Sequence, residues 1–247
     1  MAEKPLADRI ALVTGASRGI GYATALALTR AGAHIVAVAR TVGGLEELDD
    51  AVRAEGGAAT LVPLDLDDFE GIARLALALN ERYQRLDILI GNAGLLGPVS
   101  PLGHVDPKEF EQMMRINVTA NLQLIRCMDP LLRIAPAGRV VFVSSGAAHN
   151  ARAYVGPYSI SKAALEMLAR TYAAETVKTR VRVNLINPGA TRTRMRAQLM
   201  PGEDPMTLPP PDRVADAIVQ LCLPTCEETG RLYDLPSARF LNFQHPN

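Results

Sequence analysis

Tyr158 and Lys162 stand four residues apart in GPYSISKAALEML, and Ser145 closes the apolar run RVVFVSS thirteen residues before the tyrosine. Residues at that spacing are neighbours on one helical face, so a phenol and an ammonium are presented side by side. A free phenol, with a pKa of about 10, carries protons poorly at neutral pH. Bringing it to about 8 takes ~2.7 kcal/mol of interaction with a nearby cation. Lys162 is placed to supply that, and Ser145, at the carboxyl end of the preceding strand, can converge with both beside a nucleotide. Each residue also has a plain structural reading, as a surface lysine, a tyrosine capping a core and a serine ending a strand.

A second feature points to the same sheet edge. The stretch VTGASRGIGYA, residues 13–23, sets Gly15, Gly19 and Gly21 between an apolar run and a helical pattern. The free N–H groups and dipole of a helix starting there converge on a spot where an anion belongs. Gly15 permits the tight turn, Gly19 lets backbone approach a diphosphate, and Gly21 lets the helix pack close to the sheet. The spacing G-x3-G-x-G differs from the dinucleotide fingerprint G-x-G-x-x-G, so the turn alone does not separate a phosphate cradle from a structural turn. The second strand ends Val38-Ala39-Arg40, with no carboxylate to accept from a ribose 2′-hydroxyl, and Arg18 lies inside the turn. Two guanidiniums beside one phosphate favour NADP(H) over NAD(H), against the alternative of two solvated arginines.

The elements that must position these groups follow from the apolar pattern. Seven short runs, RIALVTG, HIVAVAR, AATLVPLD, LDILIGNAG, RVVFVSS, VRVNLINPG and RLYDLPS, are nearly continuous in Val, Ile, Leu and Ala. Strands of that kind belong to a parallel sheet covered on both faces. Helical spacing covers 22–31, 45–55, 69–83, 106–134, 158–177 and 212–222. The alternation predicts a single doubly wound α/β (Rossmann) domain over 1–247, with a seven-stranded parallel sheet and helices on both faces. Residues 192–211, rich in Arg, Met and Pro, are too long for an ordinary connection and read as a substrate lid or a disordered excursion.

With these motifs in register, the chain resembles the short-chain dehydrogenase/reductase family, in its Tyr-x-x-x-Lys subgroup and near the 3-oxoacyl-carrier-protein reductases. The resemblance rests on TGASRGIG at 14–21, NAG at 92–94, Asn117 in RINVTANL, Ser145, YSISK at 158–162 and NPGATRT at 187–193. It implies that Tyr158 exchanges a proton with the substrate oxygen and that Ser145 hydrogen-bonds that oxygen. Lys162 would bind the nicotinamide ribose while lowering the phenol's pKa, and Asn117 would hold a water linking Lys162 to solvent. By the same resemblance Ser17 and Ile20 complete the cofactor turn, while Asp65 and Leu66 meet the adenine. Asn92, Ala93 and Gly94 line the adenosine side, and Pro188, Gly189, Thr191 and Thr193 seat the nicotinamide end. Ser144 is set aside, because Ser145 has the family's separation from Tyr158. The family's last strand commonly runs into D-G-G, whereas this chain has Pro236 and Ser237 after Leu235, which puts the C-terminal wall of the substrate site in doubt.

Other classes find little support. Acidic and basic residues balance at a formal charge of zero and are scattered, so neither nucleic acid nor an anionic membrane is expected as a partner. No apolar run approaches the ~20 residues of a membrane span, and MAEKPLADRI lacks the apolar core of a signal peptide, so a cytoplasmic setting is expected. Cys222 and Cys226, a C-x3-C pair without clustered ligands, and the solitary Cys127 give no metal site. Arg192, Arg194 and Arg196 could receive an anionic substrate or simply be solvated. The family resemblance implies a homodimer or homotetramer built on 106–134 and 158–177. The expected function is NADP-dependent interconversion of a small carbonyl compound and its secondary alcohol. The rivals are an NAD-dependent alcohol dehydrogenase and a dinucleotide-binding protein without turnover.

Overall fold

All seven apolar runs form strands: β1 (Ile10–Thr14), β2 (His34–Ala39), β3 (Ala59–Pro63), β4 (Ile88–Gly91), β5 (Arg139–Val143), β6 (Arg182–Asn187) and β7 (Leu232–Asp234). The computed structural model describes residues 4–243, so the two ends of the expected 1–247 domain, 1–3 and 244–247, lie outside the described residues. These strands pair in parallel in the order β3-β2-β1-β4-β5-β6-β7. Alternate residues face opposite layers, as a doubly covered sheet requires. Leu12, Val36, Leu89 and Phe142 join one core. Val13, Ala37, Ile90 and Val141 join the other.

The sheet differs from the sequence expectation in one respect. It has eight strands, because β8 (Arg239–Leu241) folds back antiparallel on β7. Asp234 turns the chain there by accepting hydrogen bonds from the Ser237 backbone and hydroxyl, and Ala238 adopts φ of 53°. Three residues on an open edge carry no apolar alternation, which is why the strand leaves no mark on the sequence.

Among the described residues there are eight α-helices, most of them on the two faces of the sheet: α1 (Gly19–Arg30), α2 (Val42–Ala54), α3 (Phe69–Tyr83), α4 (Pro107–Met114), α5 (Ala120–Ile134), α6 (Gly156–Thr176), α7 (Arg194–Leu199) and α8 (Asp212–Cys222). Caps set several starts. Asp68 accepts from the Gly71 N–H at α3, and Asp106 accepts from the Lys108 N–H at α4, where Pro107 occupies the first turn. The single helix expected over 106–134 is divided by a π-helical turn, Arg115–Thr119, whose residues have ordinary helical character and give no break in the pattern. Within 192–211 the chain is ordered into α7 and a short 3-10 turn, Pro205–Thr207. Among the described residues no helix is long and apolar enough to cross a membrane.

The strand order reverses direction of growth between β1 and β4. In such sheets the crevice beyond the carboxyl ends at the reversal is where ligands bind. The glycine turn after β1, the NAG segment after β4 and Ser145 after β5 all open onto it.

Candidate active site

The crevice is a cleft of about 540 Å³. On its first side the glycine turn contributes Gly15, Ser17, Arg18, Gly19 and Ile20, and the ends of β2 and β3 contribute Arg40, Asp65 and Leu66. Arg18 precedes α1 in extended backbone with no side-chain cap, so the first N–H groups of the helix are free for an anion. Gly15 has φ of 64°, and a Cβ there would come within 2.9 Å of Asn92 Nδ2. Gly21 lies behind the turn instead of lining the cleft. A Cβ on it would collide with the Gly15 carbonyl oxygen, so this glycine serves the close packing of helix and turn. Arg40 and Asp65 approach at 3.7 Å and both are largely exposed.

Asn92, Ala93 and Gly94 line the floor. The Asn92 amide donates to the carbonyls of Thr14, at 2.9 Å, and Gly15, at 3.3 Å, while the Thr14 hydroxyl accepts from the N–H groups of Asn92 and Ala93. The Asn92 donors are thus used in tying β4 to the turn, and this holds the cradle's shape. These residues fit the diphosphate and adenosine half of a dinucleotide: free donors, no obstructing Cβ, and two cations nearby.

Across the sheet reversal lie Ser145, Tyr158 and Lys162, all on the same cleft. Tyr158, on the first turn of α6, is buried, and its hydroxyl lies close to Ser145, whose own hydroxyl accepts from the Ala147 N–H at 3.2 Å. Burial pushes the phenol's pKa up, and the neighbouring Ser145 hydroxyl opposes the rise. Proximity to Lys162 predicts the opposite direction, so the expected depression is not found. Burial of the phenol is the larger effect, and the lysine is engaged elsewhere. Lys162 Nζ donates to the Val143 carbonyl at 2.8 Å and stands 5.7 Å from the centre of the tyrosine ring. Burial lowers its pKa to about 8, against the pull of Glu166.

Asn117 sits in the π-helical turn, is fully buried, and does not line the cleft. Its Oδ1 accepts from the Leu95 N–H at 2.8 Å, while its Nδ2 donates to the Leu95 carbonyl and the Ser161 hydroxyl, each at 2.9 Å. The side chain joins the floor of the cleft to α6, one residue from Lys162. Pro188, Gly189, Thr191 and Thr193 form the far wall, and the Thr193 hydroxyl caps α7 by accepting from the Arg196 N–H. Pro236 packs directly against Gly189, so the departure from D-G-G places a rigid ring behind this wall.

Three contributors escape the sequence reading. Asn187 Oδ1 accepts from Gly146 N at 2.9 Å and Gly189 N at 3.2 Å, and its Nδ2 donates to Asp234, joining the Ser145 segment, the far wall and β7. Glu166 binds Ser144 and His149 behind Ser145. An apolar pocket of Leu96, Met113, Val155 and Tyr158, flanked by Met195 and Leu199 of α7, adjoins the phenol. Of Arg192, Arg194 and Arg196, the last two line the cleft, and Arg196 is paired with Glu203. Among the described residues no group of three or more His, Cys, Asp or Glu could hold a metal ion.

Comparison with known proteins places this geometry. The family profile described as short chain dehydrogenase matches residues 9–204. The chain is 39% identical over 209 residues to the uncharacterized oxidoreductase YciK of Escherichia coli K12, covering 83% of this chain and 82% of that protein. It is 38% identical over 210 residues to the 3-oxoacyl-acyl-carrier-protein reductase of rhamnolipid biosynthesis from Pseudomonas aeruginosa, covering 82% of this chain and 80% of the relative. A short chain dehydrogenase of Shigella flexneri 2a complexed with NADP has the same fold, with a TM-score of 0.91 at 37% identity over 95% of this chain and 99% of that one.

Proposed function

The chain belongs to the short-chain dehydrogenase/reductase family, and on that premise we propose that it is an NADP-dependent reductase that converts a small carbonyl compound to its secondary alcohol, with Tyr158 as the acid. It is an oxidoreductase of CH–OH and carbonyl groups. The observation that carries the finer reading is the meeting, in one cleft, of Ser145, Tyr158 and Lys162 with an uncapped helix N-terminus flanked by Arg18 and Arg40. The neighbour complexed with NADP supports the same cofactor here.

NADPH, when bound, supplies the hydride. The chain's own residues then position the carbonyl and manage one proton and one developing negative charge. The turn of Gly15, Ser17, Gly19 and Ile20 holds the diphosphate, Arg18 and Arg40 the 2′-phosphate, and Asp65 and Leu66 the adenine. Asn92, Ala93 and Gly94 shape the adenosine side, and Pro188, Gly189, Thr191 and Thr193 the nicotinamide end. Ser145 hydrogen-bonds the carbonyl oxygen. Tyr158, whose burial raises its pKa further above neutrality, donates its proton to that oxygen as charge develops. The Lys162 ammonium stabilises the phenolate left behind. Asn117 acts through Leu95 and Ser161 by holding the floor against α6.

The segment 192–211 closes over the apolar pocket as the lid. Three free cysteines suit a reducing compartment, and the proposed setting is the cytoplasm. A homodimer or homotetramer is proposed on the exposed apolar residues Leu122 and Ile134 of α5 and Ile160 and Met167 of α6.

Fluorescence titration with NADPH and NADH, followed by turnover of a panel of aliphatic and aromatic ketones with each, tests the reading. NADPH is expected to bind at least ~10-fold tighter, the order of one charge-assisted contact. A preference for NADH would establish the NAD-dependent alternative. Binding without turnover of any ketone would leave a dinucleotide-binding protein.

A further inference from the structure

Ser145 belongs to a short segment, 144–149, that leaves β5 and forms a 3-10 turn, Gly146–Ala148, before reaching α6. Both ends of the segment are tied to one side chain. The Ser144 hydroxyl donates to Glu166 Oε1 at 2.5 Å, and His149 Nε2 lies 2.9 Å from Glu166 Oε2. Glu166 is only 4% exposed, and the reaction proposed above does not use it. It stands four residues beyond Lys162 and eight beyond Tyr158 on α6, hence on the face that carries both.

We propose that Glu166 is a positioning residue of the reaction: its carboxylate clamps the Ser145 segment at both ends and keeps a negative charge one helical turn from Lys162. The inference rests on the reading of Ser145, Tyr158 and Lys162 as the reacting group. A buried carboxylate persists only where hydrogen bonds and opposite charge compensate its desolvation. Burial pushes the Glu166 carboxyl up, and the hydrogen bonds from Ser144 and His149 with the charge of Arg170 oppose that rise; the charged or titratable groups facing it are Lys162 and Arg170 from α6 and His149 from the clamped segment. Phe243 lies over Arg170, 4.1 Å from the guanidinium to the ring centre, and beside His149. The same charge opposes the loss of the Lys162 proton, which burial promotes. An uncharged side chain at 166 therefore leaves the lysine to deprotonate at lower pH.

Three variants separate clamp from charge. Glu166→Gln keeps an acceptor for Ser144 and removes the charge, Glu166→Ala removes both, and Ser144→Ala releases one end. Only four lysines are present, so the 13Cε signals of 13C-lysine-labelled, cofactor-free protein can follow Lys162 directly. In Glu166→Gln the Lys162 midpoint is expected to fall by about 1 pH unit, with the alkaline limb of the kcat profile moving down with it. Glu166→Ala is expected to lose a further ~10-fold in kcat with KM for NADPH within about threefold, and Ser144→Ala a smaller part of that loss. A Lys162 midpoint and a pH profile in folded Glu166→Gln that match the parent would overturn the proposal, leaving Glu166 as a structural residue. The titration needs no turnover, so it decides the charge effect even if the parent reduces no carbonyl compound and the functional reading above falls.

Discussion

The two ends of the cleft are built on opposite principles. At the β1–β3 end the groups placed for recognition are exposed and loosely held: the Arg40 and Asp65 side chains are 59% and 48% exposed and their closest approach is 3.7 Å. At the β4–β6 end Asn117, Ser144, Lys162 and Glu166 are buried, and each has a defined partner. Exposed pairs contribute little to stability, so their chemistry can change without disturbing the fold. Buried polar groups leave an unsatisfied partner when removed, so stability and chemistry change together there. On the proposed function, cofactor choice is thus expected to be separable from folding, and the proton chemistry is not.

The largest expected effect tests the buried end with the least structural change. Tyr158→Phe deletes one oxygen and is expected to lower kcat by about 10³-fold while NADPH affinity stays within a few fold. Retained turnover in that variant would remove the phenol from the reaction. Next, Asn117→Ala removes the partner of both the Leu95 N–H and the Leu95 carbonyl, while Ser161 keeps its bond to the Tyr158 carbonyl. A loss of roughly 2–4 kcal/mol in urea unfolding is expected, together with reduced turnover. Unchanged stability would break the contrast, since a buried group would then have proved as dispensable as an exposed one. Smallest in its effect on the fold is Arg40→Ser. NADPH should bind about tenfold more weakly, NADH about as before, and unfolding free energy should stay within ~0.5 kcal/mol of the parent. A fall in stability, or equal weakening of both cofactors, would mean that Arg40 supports structure more than it selects a phosphate.

The same contrast governs what the sequence discloses. The buried strands announce themselves because both faces must be apolar, so β1 to β7 read as nearly unbroken runs, whereas β8, three residues long with only Phe240 turned to the core, is silent. The residues lining the cleft are legible where a backbone requirement fixes the residue type, as at Gly15, or where two groups share a helical face, as at Tyr158 and Lys162. Partnerships across the fold are not legible. Spacing puts Glu166 beside Lys162, yet nothing in the chain order says that its carboxylate meets Ser144 and His149. Likewise Asn187 lies within the NPG motif, but its three-way junction exists only after β5, β6 and β7 have assembled. The phenol's pKa follows the same rule: proximity along a helix is visible in sequence, while depth of burial and the lysine's bond to Val143 are not.

The π-helical turn at Arg115–Thr119 has a consequence for the length of the chain itself. Each residue of an α-helix advances the direction of its side chains by about 100°, so a turn holding an extra residue acts as a phase shifter between the helices it joins. Before it, α4 is phased to put Met113 into the pocket beside Tyr158. After it, α5 is phased to lay Leu124, Met128 and Leu132 against the sheet. Deleting any one residue from 115–119 would let the two helices merge into one regular α-helix and would swing one of these faces away from its target. The residue count of that turn is therefore as much a determinant of the pocket's shape as the side chains that line it.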